Sequence, residues 1–210
     1  MRPRGPATPS ASSIPVWHPL CEADYCLGLE SRPEFWPRLR AHALALGLDA
    51  ASCQTIILLG DGADWIWRYG AKYLGKPGLN IIEAVDLYHA RGHLWDYAKA
   101  YFANAANETA WAQPLHDQLA TEGPGPIIAA MIALEAQGPG VEPKAIATEH
   151  GYFVRHANQM DYPRYRALGL PVGSWIVEGA CKTLIKERLD GGAPWKVGAI
   201  QSVQFRPGAA

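Results

Sequence analysis

The chain has 210 residues, a formal net charge of −1, and 49% hydrophobic against 19% charged residues; this suits one ordinary domain with a sizeable core and excludes a disordered chain. The longest apolar runs, residues 55–59 and 127–134, are far too short to span a bilayer, and the Pro/Ser/Ala/Arg-rich residues 1–13 lack the apolar segment of a secretory signal. A near-neutral charge argues against autonomous tight DNA binding, which draws most of its affinity from neutralised phosphates, so a soluble cytoplasmic chain with no membrane partner is expected.

Residues 1–24 read as a disordered leader. Residues 33–46 are helical in pattern, with Phe35, Leu39, His42 and Leu46 at three- and four-residue spacing and Gly47 as a stop. Residues 54–59 are a β-branched and aliphatic run, a buried strand feeding the turn Gly60-Asp61-Gly62. Residues 63–74, rich in Trp and Tyr, predict a helix ended by Gly75-Lys76-Pro77-Gly78, and residues 79–85 form a second short strand that ends at Asp86. Strand, helix and strand of this length make a βαβ unit with parallel, neighbouring strands. Such a unit delivers Asp61 and Asp86 to the same carboxyl-end edge, where open α/β sheets hold ligands. Residues 90–102, 126–137, 145–158 and 174–189 are helical, with Gly/Pro-rich connectors at 122–126 and 138–143. Residues 191–210 lose all pattern and form an irregular tail.

Few residues suggest chemistry on their own. Asp61 projects from a strand end, although Asp-Gly is also an ordinary turn. Asp86 and His89 share a helical face, with Asp86 equally suited to cap the helix and His89 to pack beneath it. Glu178, followed by Gly179, is either a surface residue or an acid beside a closely approached backbone. Trp65, Trp67 and Trp95 suit a core, and His150 and His156 suit solvent. Cys21, Cys26, Cys53 and Cys181 lack a paired metal spacing and read as reduced thiols. Arg155, Arg164, Arg166, Lys182, Lys186 and Arg188 form either a solvated face or a strip for a nucleic-acid backbone.

Read together, three ordered blocks carry more. The segment Leu58-Leu59-Gly60-Asp61-Gly62-Ala63-Asp64-Trp65-Ile66-Trp67 is the first, and Val85-Asp86-Leu87-Tyr88-His89-Ala90-Arg91-Gly92-His93-Leu94-Trp95 is the second. The third runs through Tyr152-Phe153, Asn158, Met160-Asp161-Tyr162, Tyr165-Arg166-Ala167, Gly169-Leu170-Pro171, Gly173-Ser174 and residues 177–182. With residues 25–31 ahead of them, these blocks resemble the ISKra-type insertion-sequence transposases, within the Mutator-like group of DDE transposases. The resemblance covers roughly residues 25–190.

That resemblance implies an α/β, partial ribonuclease H-like fold: a βαβ core lacking the first antiparallel strands, followed by a largely helical second half. Residues 25–190 would be the C-terminal part of a DDE transposase catalytic domain, with a helical insertion at about residues 90–150. It makes Asp61 the second acid of the triad and Glu178 the third, both metal ligands, with Asp86 and His89 in support. Such enzymes hold two Mg²⁺ (or Mn²⁺) ions that activate a hydroxyl and steady the leaving oxygen in an in-line phosphoryl displacement at DNA ends. The chain departs from the pattern in three places, the last being that the expected family continuation fades after Leu189. No strand bearing an Asp precedes the Asp61 strand, since Asp24 and Asp49 flank helical or loop segments, and Trp175 stands where the family usually has Gly. The expectation is therefore a transposase fragment, inactive alone, with DNA as a weak partner and a full-length transposase or further copies as possible partners. Two alternatives stand beside it: a non-catalytic interaction fragment that binds a full-length transposase, and another metal-dependent phosphoryl-transfer nuclease.

Overall fold

The computed structural model describes residues 31–173; residues 1–30 and 174–210, and with them Glu178, lie outside the described residues. Within that span the chain is mixed α/β, mostly helical, with a two-stranded parallel sheet.

Helix α1 (Arg32–Ala45) starts at Ser31, whose backbone N–H and hydroxyl both donate to Glu34, at 3.0 and 2.7 Å. This reciprocal cap satisfies donors that the first helical turn leaves open. Strand β1 (Thr55–Gly60), helix α2 (Asp64–Leu74) and strand β2 (Asn80–Val85) form the expected βαβ unit. The strands pair in parallel from Thr55↔Asn80 to Gly60↔Val85. Helix α2 lies close on β1 because Gly70 has no side chain: a Cβ there would fall 2.1 Å from Leu58 Cδ1. Contrary to the sequence expectation, β1 is half-buried along its length. Its inner residues Ile57 and Leu59 join the main core, and Ile56 joins a smaller one.

The smaller core is aromatic. Trp36 of α1 stacks on Tyr69 and Tyr73 of α2 at 6.1 and 6.3 Å, with Leu48 and Leu74 buried beside it. Trp65 and Trp67 pack into the smaller and the main core, as their type suggests, and Trp95 lines the main one.

The main core is built around helix α3 (Leu87–Tyr101), whose residues Leu87, Ala90, Leu94, Tyr97 and Ala98 are buried at helical spacing. Helices α4 (Ala105–Glu122), α5 (Gly125–Glu135) and α6 (Pro143–His156) pack around it, followed by a 3-10 turn (Ala157–Gln159) and the short α7 (Tyr162–Ala167). The sequence pattern assigns no element to residues 105–122 or 162–167. Helix α4 is capped by Asn104, which accepts from Asn107 N–H, and carries Pro114 inside it. The proline masks the helical signal, and the buried Ala112, Leu115 and Leu119 make the helix anyway by packing. The two cores pack helices onto a sheet too small to be stable alone. Among the described residues no helix is long and apolar enough to cross a membrane.

Candidate functional site

The parallel register does the positioning. Gly60 pairs with Val85, so the next residues, Asp61 and Asp86, leave the two strands side by side at the carboxyl-end edge. Asp86 N–H donates to Gly60 O at 2.7 Å and closes that edge. The two acids then differ. Asp61 is exposed, and one of its oxygens accepts from Ala63 N–H at 2.8 Å, which orients the carboxylate over the turn. Asp86 is 5% exposed and caps α3, its Oδ1 accepting from Tyr88 N–H and His89 N–H at 2.9 and 3.0 Å. Both ordinary roles that the sequence allowed, turn former and helix cap, are thus present.

His89 does not pack beneath Asp86. It is exposed, because one turn into α3 its position faces the opening between α3 and α6. Asp86, His89 and His93 form one stripe on α3, and Glu149, Tyr152 and His156 form a stripe of the same spacing on α6. These stripes meet. His93 Nδ1 lies 2.5 Å from Glu149 Oε2, and its ring stacks on Tyr152 at 3.7 Å. His93 Nε2 lies 3.2 Å from His89 Nε2. The Tyr152 hydroxyl donates to the main-chain carbonyl of Asp61 at 2.9 Å, tying α6 to the end of β1.

His156 is also not solvated as its residue type suggests; it is 3% exposed, packed against the other side of the Tyr152 ring. Its Nδ1 lies 2.8 Å from Gln159 Oε1, and Gln159 Nε2 donates to Glu83 Oε2 at 3.0 Å. A carboxylate only accepts, so Glu83 orients the Gln159 amide, whose oxygen faces His156 Nδ1, and His156 Nε2 lies beside Gly62. Gly62 has φ 97°, and a Cβ there would fall 3.1 Å from Tyr152 and 3.3 Å from His156 Nε2. Only glycine lets the turn sit this close to both rings.

Burial first, and then the charges of Asp61, Glu149 and Asp86, hold the Tyr152 phenol well above its ordinary range, so it is a neutral donor. The Tyr162 hydroxyl behind it is pushed up by burial and by its neighbours Tyr152 and Asp86, and it finds no hydrogen-bond partner among the described residues.

No family model matches this chain, nor does any curated protein or solved structure. Its function must be argued from its own residues. The structure brings Asp61, Asp86 and His89 to one edge, while the place of Glu178 lies outside the described residues. The chain nevertheless arrives there: Leu87 N–H donates to Val172 O at 2.8 Å, and Gly173 packs on the Tyr88 ring at the start of α3. Glu178 follows Gly173 by five residues, a reach of at most about 18 Å from a point beside Asp86. Among the described residues no group of three His, Cys, Asp or Glu converges closely enough to hold a metal.

Sequence reasoning missed His93, Glu149, Tyr152, His156 and Gln159 as site residues. Residues 145–158 read as helical, but nothing local shows that Glu149, Tyr152 and His156 face α3. Beside β2, the exposed Arg155 and Arg164 line an open groove with Asn80, Glu83 and Tyr165, while Lys182, Lys186 and Arg188 lie outside the described residues.

Proposed function

We propose that this chain carries part of the catalytic domain of a DDE-type insertion-sequence transposase with a ribonuclease H-like fold. Asp61 and Glu178 are then two of its metal-holding acids, and DNA ends are its substrate. The observation that carries this reading is the parallel register that sets Asp61 beside the capped Asp86 at the carboxyl-end edge of the sheet. The return of the chain to that edge at Val172 supports it.

The donor set is compatible with Mg²⁺ in chemistry but incomplete in number. Asp61 offers an exposed, oriented carboxylate, the hard oxygen ligand Mg²⁺ prefers, yet no third acid joins Asp61 and Asp86 among the described residues. When bound, the ion would supply Lewis-acid polarisation of a phosphate oxygen. The chain's own residues position the edge. Ala63 N–H aims the Asp61 carboxylate, Tyr152 holds the Asp61 main chain, and Asp86 spends one oxygen on the α3 cap, which makes it a supporting residue. Arg155 and Arg164 place positive charge along a neighbouring groove, suited to a phosphate backbone. With two of the three acids that such a site uses, the chain by itself is inactive.

The test is Mn²⁺ binding followed by electron paramagnetic resonance, alongside cleavage of labelled DNA. Asp61→Asn and Glu178→Gln should each weaken Mn²⁺ binding, and the unaltered chain should leave DNA intact. Unchanged Mn²⁺ binding in both variants, or cleavage that survives Asp61→Asn, overturns the proposal.

One observation favours a second reading, an interaction fragment for a full-length transposase or a further copy. Among the described residues β1 and β2 pair only with each other, and no further strand meets the outer edge of β1, which suits strand addition there. Co-purification with an intact transposase of this type supports it, and a monomer indifferent to that partner removes it.

A further inference from the structure

We propose that His89 and His93 form an open binding site for a single divalent transition-metal ion, Zn²⁺ above all, with Glu149 preparing His93 to ligate. This site is distinct from the carboxylate edge in both its donors and its preferred ion, and it stands whether or not Asp61 holds Mg²⁺.

The two histidines are four residues apart on α3, so their side chains leave the same face one turn apart. Their Nε2 atoms lie 3.2 Å from each other. An ion at ordinary zinc–imidazole distances from both would subtend an angle of roughly 100–105°, close to tetrahedral.

The tautomer of the neutral His93 ring is set by its other nitrogen. Glu149 Oε2 lies 2.5 Å from His93 Nδ1, and because a carboxylate only accepts, the ring proton sits on Nδ1. Nε2 then carries the lone pair that a metal needs. A carboxylate behind the ligating imidazole is the usual outer partner in histidine metal sites, where it fixes the tautomer and raises ligand basicity. The ring plane is fixed as well: His93 stacks on Tyr152 at 3.7 Å with 22° between the planes. With no metal, a proton on His89 Nε2 would bridge the 3.2 Å contact to His93 Nε2; for His89 to ligate as a neutral ring that proton moves through solvent to its own Nδ1, which frees Nε2 for the ion.

Access and selectivity follow from burial and donor type. His89 is exposed, while the His93 and Glu149 side chains retain 25% and 16% of their exposure, so the ion enters from solvent onto a partly preformed pair. Two neutral nitrogens favour ions such as Zn²⁺, Ni²⁺ and Co²⁺ over hard Mg²⁺. No third protein ligand converges among the described residues, which leaves the remaining positions to water or to an oxygen ligand from outside. A site of this kind is open in the manner of catalytic zinc and unlike a closed structural one.

The experiment is calorimetric titration of the full chain with Zn²⁺ in excess Mg²⁺, repeated with Co²⁺ while its visible absorption is followed. One ion should bind per chain, undisturbed by the Mg²⁺, and His93→Ala should abolish uptake. His89→Gln, an exposed change that leaves the core untouched, should do the same, and Glu149→Gln should weaken binding roughly 10- to 100-fold. His116→Ala, on α4, should leave it unchanged, and Asp61→Asn should leave Zn²⁺ binding intact even where it removes Mn²⁺ binding. No uptake by the unaltered chain, or equal uptake after His89→Gln, overturns the proposal.

Discussion

Gly62 is the point at which the site geometry can be tested through stability. Its φ of 97° is strained for any residue with a Cβ, at a cost of about 1–3 kcal/mol. Gly78 has a similar φ of 79° with nothing near its Cβ position, so Gly78→Ala meets the backbone cost alone. Gly62→Ala adds a methyl 3.1 Å from Tyr152 Cε2, 3.2 Å from its hydroxyl and 3.3 Å from His156 Nε2. Both rings are held by other contacts, Tyr152 on Asp61 O and His156 on Gln159, so the crowding adds about 1–3 kcal/mol of overpacking. At about 2–4 °C per kcal/mol for a chain of this size, Gly62→Ala should melt several degrees below Gly78→Ala in a thermal scan read by circular dichroism. The decisive comparison repeats Gly62→Ala in a Tyr152→Ala background. Removing the ring takes away most of the crowding, so the cost of Gly62→Ala should fall by about 1 kcal/mol or more, a coupling expected only of residues in contact. If Gly62→Ala costs the same with and without Tyr152, the packing of α6 on the Asp61 turn described above is wrong.

Asp86→Ala should destabilise the chain by about 0.5–2 kcal/mol in urea unfolding through loss of the α3 cap, whereas Asp86→Asn, which caps equally well, should cost much less; equal losses would mean that its charge, and not its cap, matters for stability. Phe153→Ala, at a fully buried position of α6, should cost about 3–5 kcal/mol, and Val154→Ala next to it, 54% exposed, within about 0.5 kcal/mol of nothing; similar values would contradict the assigned face of α6. The phenols of Tyr97, Tyr152, Tyr162 and Tyr165 are all raised, by burial above all. Above about pH 10 the unfolded chain therefore releases protons that the folded chain keeps, so stability is fully present below pH 10 and falls as the pH rises beyond it. In an alkaline absorbance titration these four should ionise together with loss of the native circular dichroism; smooth titration of all nine tyrosines near pH 10 with native structure intact would refute their burial.

Much of the site's first layer was legible because it depends on local chemistry. Two aliphatic runs separated by one helical segment make parallel strands, and an acid directly after each run must leave at the same edge. The Asp86 cap and the Gly62 turn likewise follow from residue type at a chain reversal. Helix α4 was not legible, because Pro114 and a run of Ala and polar residues carry weak propensity, and the helix exists through the packing of Ala112, Leu115 and Leu119. His89 shows the same limit from the other side: its spacing from Asp86 could be read, but whether it is covered or open depends on what packs against α3.

The sequence by itself determined the βαβ unit, the edge that carries Asp61 and Asp86, and the shared helical face of Asp86 and His89, since periodicity and turn chemistry act over a few residues. Only the tertiary structure decided that His89 and His93 on α3 face Glu149 and Tyr152 on α6. Residues some sixty positions apart, such as His93 and Glu149, meet because the buried faces of α3 and α6 pack together, and that meeting orients the His93 ring and buries Tyr152.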